Sequence, residues 1–430
     1  MEQINIMVFP CGSEIGLELH RALKDIRFIT LYGASSAEDH GKWVYKNYIG
    51  GIPYIDVPEI IDVLNRHIDE NGIDFIFPAL DSVIAFLSRN RDRLHAKLLT
   101  SPDETVQICR SKSKTYSRLA GCGFLPAVYK SPDEIKDYPV IIKPAESQGS
   151  QGFAVIKRRE QLCYELSVRT DEQVICEYLP GEEYTVDCFT DKNGDLKFAS
   201  CRTRSRVKNG ISVNSSLVEP DGEVIKIAEE INSRMDFRGV WFFQLKRNKD
   251  GDYRLLECAT RVAGTMCVER AAGVNLALLT VFDAMGYELD FPETVAGVTV
   301  DRALNNIFKL DINYDEVYID FDDTVTVHGG VNFAALEFVY QCVERGIPVT
   351  LLTRHETDIY TDLKALRIMP ELFDRIICLP RSERKTDHVS PSKNALFIDD
   401  SFAERKEMKD AFGITALGVD AIEALLDRRQ

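Results

Sequence analysis

Val317–Val325 reads VYIDFDDTV, a short apolar run that ends in Asp320, Phe321, Asp322, Asp323 and Thr324. Two carboxylates two residues apart stand where a buried parallel strand would end. In open α/β sheets that edge is where ligands bind. Ala395–Ser401 reads ALFIDDS, a second apolar run ending in paired acids, Asp399 and Asp400. Either pair alone reads as a solvated acidic turn. Two of them in one domain predict a divalent-metal site aimed at a phosphate.

A second set of chemically able residues lies in the middle of the chain. Lys143 interrupts the apolar run PVIIKP, Pro139–Pro144. A lysine among apolar residues is costly unless it meets an anion. Gln244 ends the run WFFQ and Glu257 ends LLE. Neighbouring antiparallel strands would bring these oxygen-bearing side chains together, and oxygen ligands suit Mg²⁺ bound with substrate phosphates. Arg261, four residues on, can neutralise a phosphate or a carboxylate. An internal Lys–Glu ion pair is the plain structural alternative.

The elements that must position these groups read in three blocks. Ile4–Phe9 is a predicted strand, then Pro10, Cys11, Gly12, Ser13, Glu14, Ile15 and Gly16 lead into a helical pattern, Leu17–Lys24. Strand, glycine turn and helix begin a Rossmann-like unit, although the full GxGxxG pattern is absent. Phe28–Gly33 and Ile73–Pro78 continue it, so residues 1–100 predict a small parallel-sheet domain. A helix over Ser113–Ala120 follows. Pro139–Pro144 and Phe153–Ile156 predict a hairpin whose Gly/Ser/Gln tip, around Gln148–Gln151, can close over phosphates with backbone N–H groups. Val174–Tyr178, Tyr184–Thr190, Leu196–Arg206, Val240–Lys246 and Tyr253–Cys258 predict an antiparallel sheet. Asp191–Gly194 and Asn248–Gly251 supply its hairpin turns. Val298–Tyr314 reads as a linker. From Val317 strands and helices alternate again: Val317–Ile319, Phe333–Arg345, Pro348–Leu352, Asp358–Leu366, Ile376–Leu379 and Ala395–Ile398.

Bulk properties narrow the function classes. The 430 residues imply about two to three domains. The net charge of −16 argues against a general nucleic-acid binder. The eleven cysteines form no CxxC pair and no zinc-like spacing. With an N-terminus that lacks a signal-peptide pattern, they read as reduced thiols of a cytoplasmic protein. No apolar run reaches the roughly 18 residues of a bilayer span.

Residues 1 to about 300 resemble the ATP-grasp superfamily, in the branch of carbamoyl-phosphate synthase large subunits and carboxylate–amine ligases. PVIIKP with its following loop, EYLPGEEYTVD (Glu177–Asp187), FFQL (Phe242–Leu245) and LLECATRVAGT (Leu255–Thr265) carry the likeness. The resemblance implies that Lys112 and Lys143 contact ATP phosphates. It implies that Glu177, Tyr178 and Leu179 form the adenine-contacting hinge and that Glu183 holds the ribose hydroxyls. Gln244 and Glu257 would be metal ligands, and Arg261 would hold the transferring phosphate or the acid. Arg204 and Arg206, in CRTRSR, would clamp a phosphate or carboxylate. One position departs from the pattern. The family commonly has Glu-x-Asn-x-Arg, and here Ala259 stands where the asparagine ligand belongs.

Residues 317–428 resemble the haloacid-dehalogenase superfamily of phosphatases, through Asp320-x-Asp322-x-Thr324, Thr353 after an apolar strand, and Asp399-Asp400. The resemblance implies Asp320 as nucleophile and Asp322 as general acid and base. Thr353 would bind phosphoryl oxygens. Mg²⁺ would be held by Asp320, the backbone at Asp322, and Asp399 or Asp400. The motif lysine is Lys385, with Lys393 as the other choice. His328 and His355 read as surface or packing residues. The short interval between Thr324 and the helix at Phe333 leaves no room for a cap domain.

The expected protein is thus an α/β and α+β multidomain enzyme. A Rossmann-like pre-ATP-grasp domain spans 1–100, an ATP-grasp domain with an antiparallel sheet 101–305, and a capless doubly wound domain 315–430. Its expected cofactors are ATP and Mg²⁺, with Mn²⁺ as a substitute. Its expected reaction activates a carboxylate as an acyl phosphate for attack by an amine, beside hydrolysis of a related phosphorylated compound. The alternatives are a small-molecule kinase and a regulatory module with an impaired ATP site. Expected partners are small carboxylate and amine substrates, with homodimerisation left open, and neither nucleic acid nor membrane.

Overall fold

A computed structural model describes residues 2–147, 151–208, 210–292 and 294–429. The chain divides into two compact units, one running to Leu304 and one of Asn305–Arg428. The expected loop tip around Gln148–Ser150 lies outside the described residues.

The first unit opens with five parallel strands, β1 (Ile4–Phe9), β2 (Ile29–Ala34), β3 (Asn47–Ile49), β4 (Phe75–Pro78) and β5 (Lys97–Leu98), in the order β3-β2-β1-β4-β5. The order reverses between β1 and β4, which opens a crevice at their carboxyl ends. Helix α1 (Glu14–Leu23) starts there, capped by the Ser13 hydroxyl, which accepts from the Gly16 amide. Helix α2 (Ile60–Asn71) follows, and α3 (Asp81–Arg89) begins just past β4. Next come α4 (Asp103–Arg110) and α5 (Lys112–Arg118).

A small sheet, β6 (Val128–Tyr129), β7 (Val140–Pro144), β8 (Ala154–Ile156) and β9 (Gln173–Glu177), runs in the order β6-β9-β7-β8. Strands β7 and β8 pair antiparallel, Val140 opposite Ile156, as a hairpin. Helix α6 (Arg159–Val168) joins β8 to β9. The large antiparallel sheet contains β10 (Glu183–Thr190), β11 (Leu196–Thr203), β12 (Arg206–Lys208), β13 (Ile211–Val218), β14 (Gly239–Arg247), β15 (Tyr253–Ala259) and β16 (Thr299–Asp301). Helix α7 (Gly222–Arg234) lies between β13 and β14, and α8 (Cys267–Ala271) and α9 (Leu276–Ala284) follow β15.

Two expectations are corrected here, and one strand was not foreseen. The run Leu196–Arg206 is not one strand, because it breaks after Thr203. Strand β13, ISVNSSLV, carries too few apolar residues to announce itself. The expected linker Val298–Tyr314 begins with β16, which pairs with β13 (Asn214 opposite Asp301). An edge strand of polar residues has no periodic apolar face, so its pairing is invisible in local pattern.

One core joins the parallel sheet to the antiparallel one: Ile6, Leu19 and Leu31 pack with Phe189, Val240 and Val262. A second core surrounds β14, where Trp241 stacks on Phe237 with ring centroids 3.9 Å apart. Strand β14 lies between β10 and β15 and is buried on both faces, which explains its unbroken apolar run.

A charged cluster is sealed beneath this sheet. Arg202, on β11, pairs with Asp187, on β10, at 2.5 Å, with side chains 1% and 0% exposed. Arg202 also donates to the Thr265 hydroxyl, which anchors the segment after Arg261. Glu269 is fully buried beside Asp187, with Ser200 as its hydrogen-bonding neighbour. Burial, then the Asp187 carboxylate, pushes its pKa from 4.5 up to about 8. The folded state therefore retains a proton there that the unfolded chain loses near pH 4.5. Stability from this group is complete below pH 4.5 and is lost as pH rises to about 8. Urea midpoints are expected to fall between pH 6 and 8.5 in the native chain and to fall distinctly less in Glu269→Gln.

The second unit is a five-stranded parallel sheet of β17 (Glu316–Ile319), β20 (Val349–Thr353), β21 (Arg375–Cys378), β22 (Ala395–Ile398) and β23 (Thr415–Leu417), ordered β21-β20-β17-β22-β23. A wide, non-helical turn over Phe321–Val325, closed by the Thr326 amide on the Phe321 carbonyl, follows β17 and leads into a small hairpin of β18 (Thr326–Val327) and β19 (Gly330–Val331). Helices α10 (Phe333–Glu344), α11 (Ile359–Ala365) and α12 (Phe402–Phe412) cover the sheet. Strand order again reverses at β17 and β22, which register Ile319 against Ile398. The next residues, Asp320 and Asp399, emerge together at the carboxyl edge.

Candidate functional site

In the first unit a cleft lies between the small sheet and the large one. Its lining includes Lys112, Lys143, Glu177, Tyr178, Leu179, Glu183, Arg204, Gln244 and Glu257. Nine of the expected site residues thus meet in one place. The β7 pleat turns Lys143 inward, and its Nζ donates to the Tyr116 hydroxyl at 3.1 Å. Tyr116 donates in turn to the Leu256 carbonyl at 2.9 Å, so the lysine is held against β15. Lys112, at the start of α5, donates to the Ser147 hydroxyl at 3.0 Å and stands 4.0 Å from Glu257. Burial lowers the pKa of Lys112, with Glu257 opposing that shift.

At the other end, β9 delivers Glu177, Tyr178 and Leu179 to the rim. The Glu177 carboxylate turns back to accept from the Ala127 amide at 2.9 Å, which leaves the backbone after it to face the cleft. Glu183 pairs with Arg204 at 2.6 Å and with Lys246 at 3.5 Å. Gln244 and Glu257 are direct cross-strand partners on β14 and β15. Such a pair has side chains about 5 Å apart, close enough to share one cation.

Arg261 lies beyond Glu257 in an adjoining smaller cavity, lined also by Asp81, Arg110, Lys112 and Ala259. Its guanidinium grips Asp81 of α3 through two bonds, of 2.6 and 2.9 Å. It also covers the Phe242 ring at 5.1 Å. Arg206 stands apart: it is exposed, pairs with Asp301 at 2.8 Å and does not line the cleft. The first cleft therefore presents lysines and arginines with few free carboxylates, an arrangement suited to a polyanion. Sequence reasoning missed Tyr116, Arg110, Asp81 and Lys246. Lys246 had a signal, because it falls two residues after Gln244 on the same strand face.

In the second unit Lys385 settles between two acids. Its Nζ lies 2.5 Å from Asp320 and 2.6 Å from Asp399, and the side chain is 3% exposed. Lys393 is exposed. Asp320, Asp399 and Asp400 each offer an oxygen within 4.8 Å of the others, the one such group of three among the described residues. Burial raises the Asp320 pKa to about 6, Lys385 opposing and Asp399 adding to the rise. Thr353 ends β20 fully buried, and its hydroxyl has no partner among the described residues. The Thr324 hydroxyl accepts from the Asp400 amide at 3.1 Å and ties the two acid turns together. Asp323 adopts φ 53°, a left-handed conformation that costs a non-glycine residue energy and marks a constrained turn.

Asp322 projects from that turn and is half exposed. His355 packs edge-to-face on the Phe321 ring, with centroids 5.3 Å apart, and is also hydrogen-bonded through both ring nitrogens. Its Nδ1 lies 2.8 Å from Asp322 and its Nε2 2.6 Å from Asp362. Burial works against its charge, but these two carboxylates outweigh burial and raise its pKa. His328 is exposed at the hairpin tip with φ 49°.

Comparison with known proteins gives a consistent picture of the first unit. Residues 169–305 match the family model "ATP-grasp in the biosynthetic pathway with Ter operon". The chain is 28% identical over 145 residues to a D-alanine–D-alanine ligase of Fusobacterium nucleatum, covering 31% of this chain and 50% of that protein. It is 44% identical over 57 residues to a 5-formaminoimidazole-4-carboxamide ribofuranosyl monophosphate synthetase of Pyrobaculum arsenaticum, covering 13% and 17%. The chain thus spans half or less of the length of these curated relatives. Among solved structures, biotin carboxylase of Campylobacter jejuni with β,γ-ATP superposes with a TM-score of 0.56 at 18% identity, over 67% of this chain and 72% of that one. The ADP complex of N5-carboxyaminoimidazole ribonucleotide synthetase gives 0.57 at 13% identity, over 69% and 80%. An L-amino acid ligase of Bacillus licheniformis gives 0.54 at 17%, over 66% and 75%. Among the described residues no helix is long and apolar enough to cross a membrane.

Proposed function

We infer that the chain is a member of the ATP-grasp superfamily and that its first unit is an ADP-forming carboxylate–amine ligase. The observation that carries this reading is the convergence of Lys112, Lys143, Gln244 and Glu257 on one cleft whose opposite rim is Glu177–Leu179. The adenine would lie along that rim, with the ribose at Glu183. The ammonium groups of Lys112 and Lys143 would hold the phosphates, and Gln244 with Glu257 fits one Mg²⁺. When bound, that ion offsets charge on the transferring phosphoryl group. A carboxylate oxygen of the acid attacks the γ-phosphorus, the bond to the β-phosphate oxygen breaks, and ADP leaves. An amine then attacks the acyl carbon, phosphate departs, and an amide remains. The chain's own work is positioning and charge neutralisation. Arg261, its guanidinium fixed in orientation by Asp81, would orient the acid. The test is a screen of pooled carboxylic acids and amines for ADP release, read by mass spectrometry. ADP formation that needs both an acid and an amine supports the ligase. A stable phosphorylated product without amine supports a kinase instead.

For the second unit we propose a Mg²⁺-dependent phosphatase of the haloacid-dehalogenase type, acting on a phosphorylated compound related to the ligase chemistry. The reading is supported by Asp320, Lys385 and Asp399 in contact, by Thr353 with an unpartnered buried hydroxyl, and by the wide turn and hairpin after β17. Three converging carboxylates fit a hard divalent cation, which would neutralise the phosphate facing them. Asp320 attacks phosphorus, the bond to the leaving oxygen breaks and Asp322 gives that oxygen its proton; Asp322 then takes a proton from the water that attacks the aspartyl-phosphate, which releases phosphate and frees Asp320. His355, locked by Asp362, would fix the Asp322 carboxylate in place. His355→Ala is therefore expected to lower kcat for p-nitrophenyl phosphate about ten- to a hundredfold. His355→Asn, which can still hydrogen-bond Asp322, is expected to recover part of that loss.

A further inference from the structure

The metal-ligating set of the ATP cleft is short by one. Gln244 is a neutral amide, Glu257 is a carboxylate, and the next inward position on β15 is Ala259, whose methyl group donates nothing. No third acid supplements them: among the described residues no group of three metal-ligating side chains forms in this unit. Asp81 borders the adjoining cavity, but both its oxygens are taken by Arg261. Glu183 is taken by Arg204 and Lys246. Among the described acids lining these cavities Glu257 is the one held most loosely by a cation, Lys112 standing 4.0 Å away.

The space beside Ala259 is not bare of charge. Arg110 ends α4 and lines the same small cavity as Glu257, Ala259 and Arg261. Its Nη1 donates to the Ser147 carbonyl at 3.2 Å, so it is fixed next to the residue that also holds Lys112. Arg110 and Lys112 both act on Asp81, lowering its pKa after Arg261, while burial opposes them. Two cations of the α4–α5 junction therefore converge on the place where a further metal ion would need ligands. A guanidinium delivers positive charge and several N–H donors to phosphate oxygens with no ligand set of its own.

We propose that the phosphate end of this cleft binds one divalent cation per nucleotide and that Arg110 supplies the charge a second cation would bring. The proposal rests on the ATP-grasp reading of the first unit. It is tested with Mn²⁺ and the non-hydrolysable analogue AMPPNP on the full chain, counting by electron paramagnetic resonance the Mn²⁺ taken up on adding nucleotide, above any already held by Asp320, Asp399 and Asp400 of the second unit, and bound nucleotide by equilibrium dialysis. The expected count is one Mn²⁺ per AMPPNP in the native protein and two in Ala259→Asp, which restores a ligand. Arg110→Gln is expected to weaken AMPPNP about tenfold or more while weakening AMP little, and Arg110→Lys to recover part of the loss. Unchanged AMP binding in Arg110→Gln shows that the cleft is intact. Two Mn²⁺ per nucleotide in the native chain, or unchanged AMPPNP affinity in Arg110→Gln, overturns the proposal alone. No nucleotide binding at all by the native chain removes the ATP-grasp reading with it.

Discussion

Asp320→Asn is expected to abolish phosphate release from p-nitrophenyl phosphate, a loss of about a thousandfold or more, while ATP-dependent ADP formation stays at the native rate. Loss of a covalent nucleophile routinely costs that much, because no other group can form the phosphoryl-enzyme bond. The substitution keeps the side chain's shape but removes its charge. Lys385 then retains one of its two acid partners, Asp399 at 2.6 Å, so the buried ammonium stays paired and the unit is expected to fold. A thermal melt of the variant alongside the native chain checks this. Persistent hydrolysis would exclude Asp320 as nucleophile. Loss of ADP formation as well would sink the assignment of two separate sites.

Glu257→Gln is expected to lower ATP turnover by a factor of about 10² to 10³ and to leave hydrolysis of p-nitrophenyl phosphate unchanged. The size follows from the charge inventory of the cleft. With Gln244 neutral and Ala259 inert, Glu257 is the one acidic side chain on β14 and β15. Removing it leaves two amides, which bind Mg²⁺ feebly, and electrostatic stabilisation in a preorganised site is commonly the largest catalytic contribution. The side chain is about a third exposed and its nearest cation is 4.0 Å away, so little folding stability is at stake. Raising the Mg²⁺ concentration should recover part of the activity. A rate within twofold of native would show that Glu257 does not ligate metal.

Many of the candidate groups were legible in the sequence. Apolar runs that end in acids or carry one lysine are local signals. They found Lys143, Gln244, Glu257, Asp320 and Asp399, all at strand ends or inside strands. A buried strand can tolerate such a residue only where a ligand or partner repays its desolvation, so type and position together are informative. The order of elements was equally local, because the apolar period changes from strand to helix. Strand β13, with four polar residues among its eight, and the short edge strand β16 escaped because they lack that period.

What the amino-acid sequence determined by itself was therefore which groups can do chemistry and which elements carry them. Tertiary structure alone decided which of those groups meet. It chose Lys385 over Lys393 by placing one between Asp320 and Asp399 and leaving the other exposed. It joined Arg261 to Asp81 across 180 residues, set Arg206 against Asp301 away from the cleft, and put His355 between Asp322 and Asp362. The physical reason is one of range. Propensity and periodicity act over a turn or a strand, whereas an ion pair depends on where packing brings distant segments together, and nothing local encodes that distance.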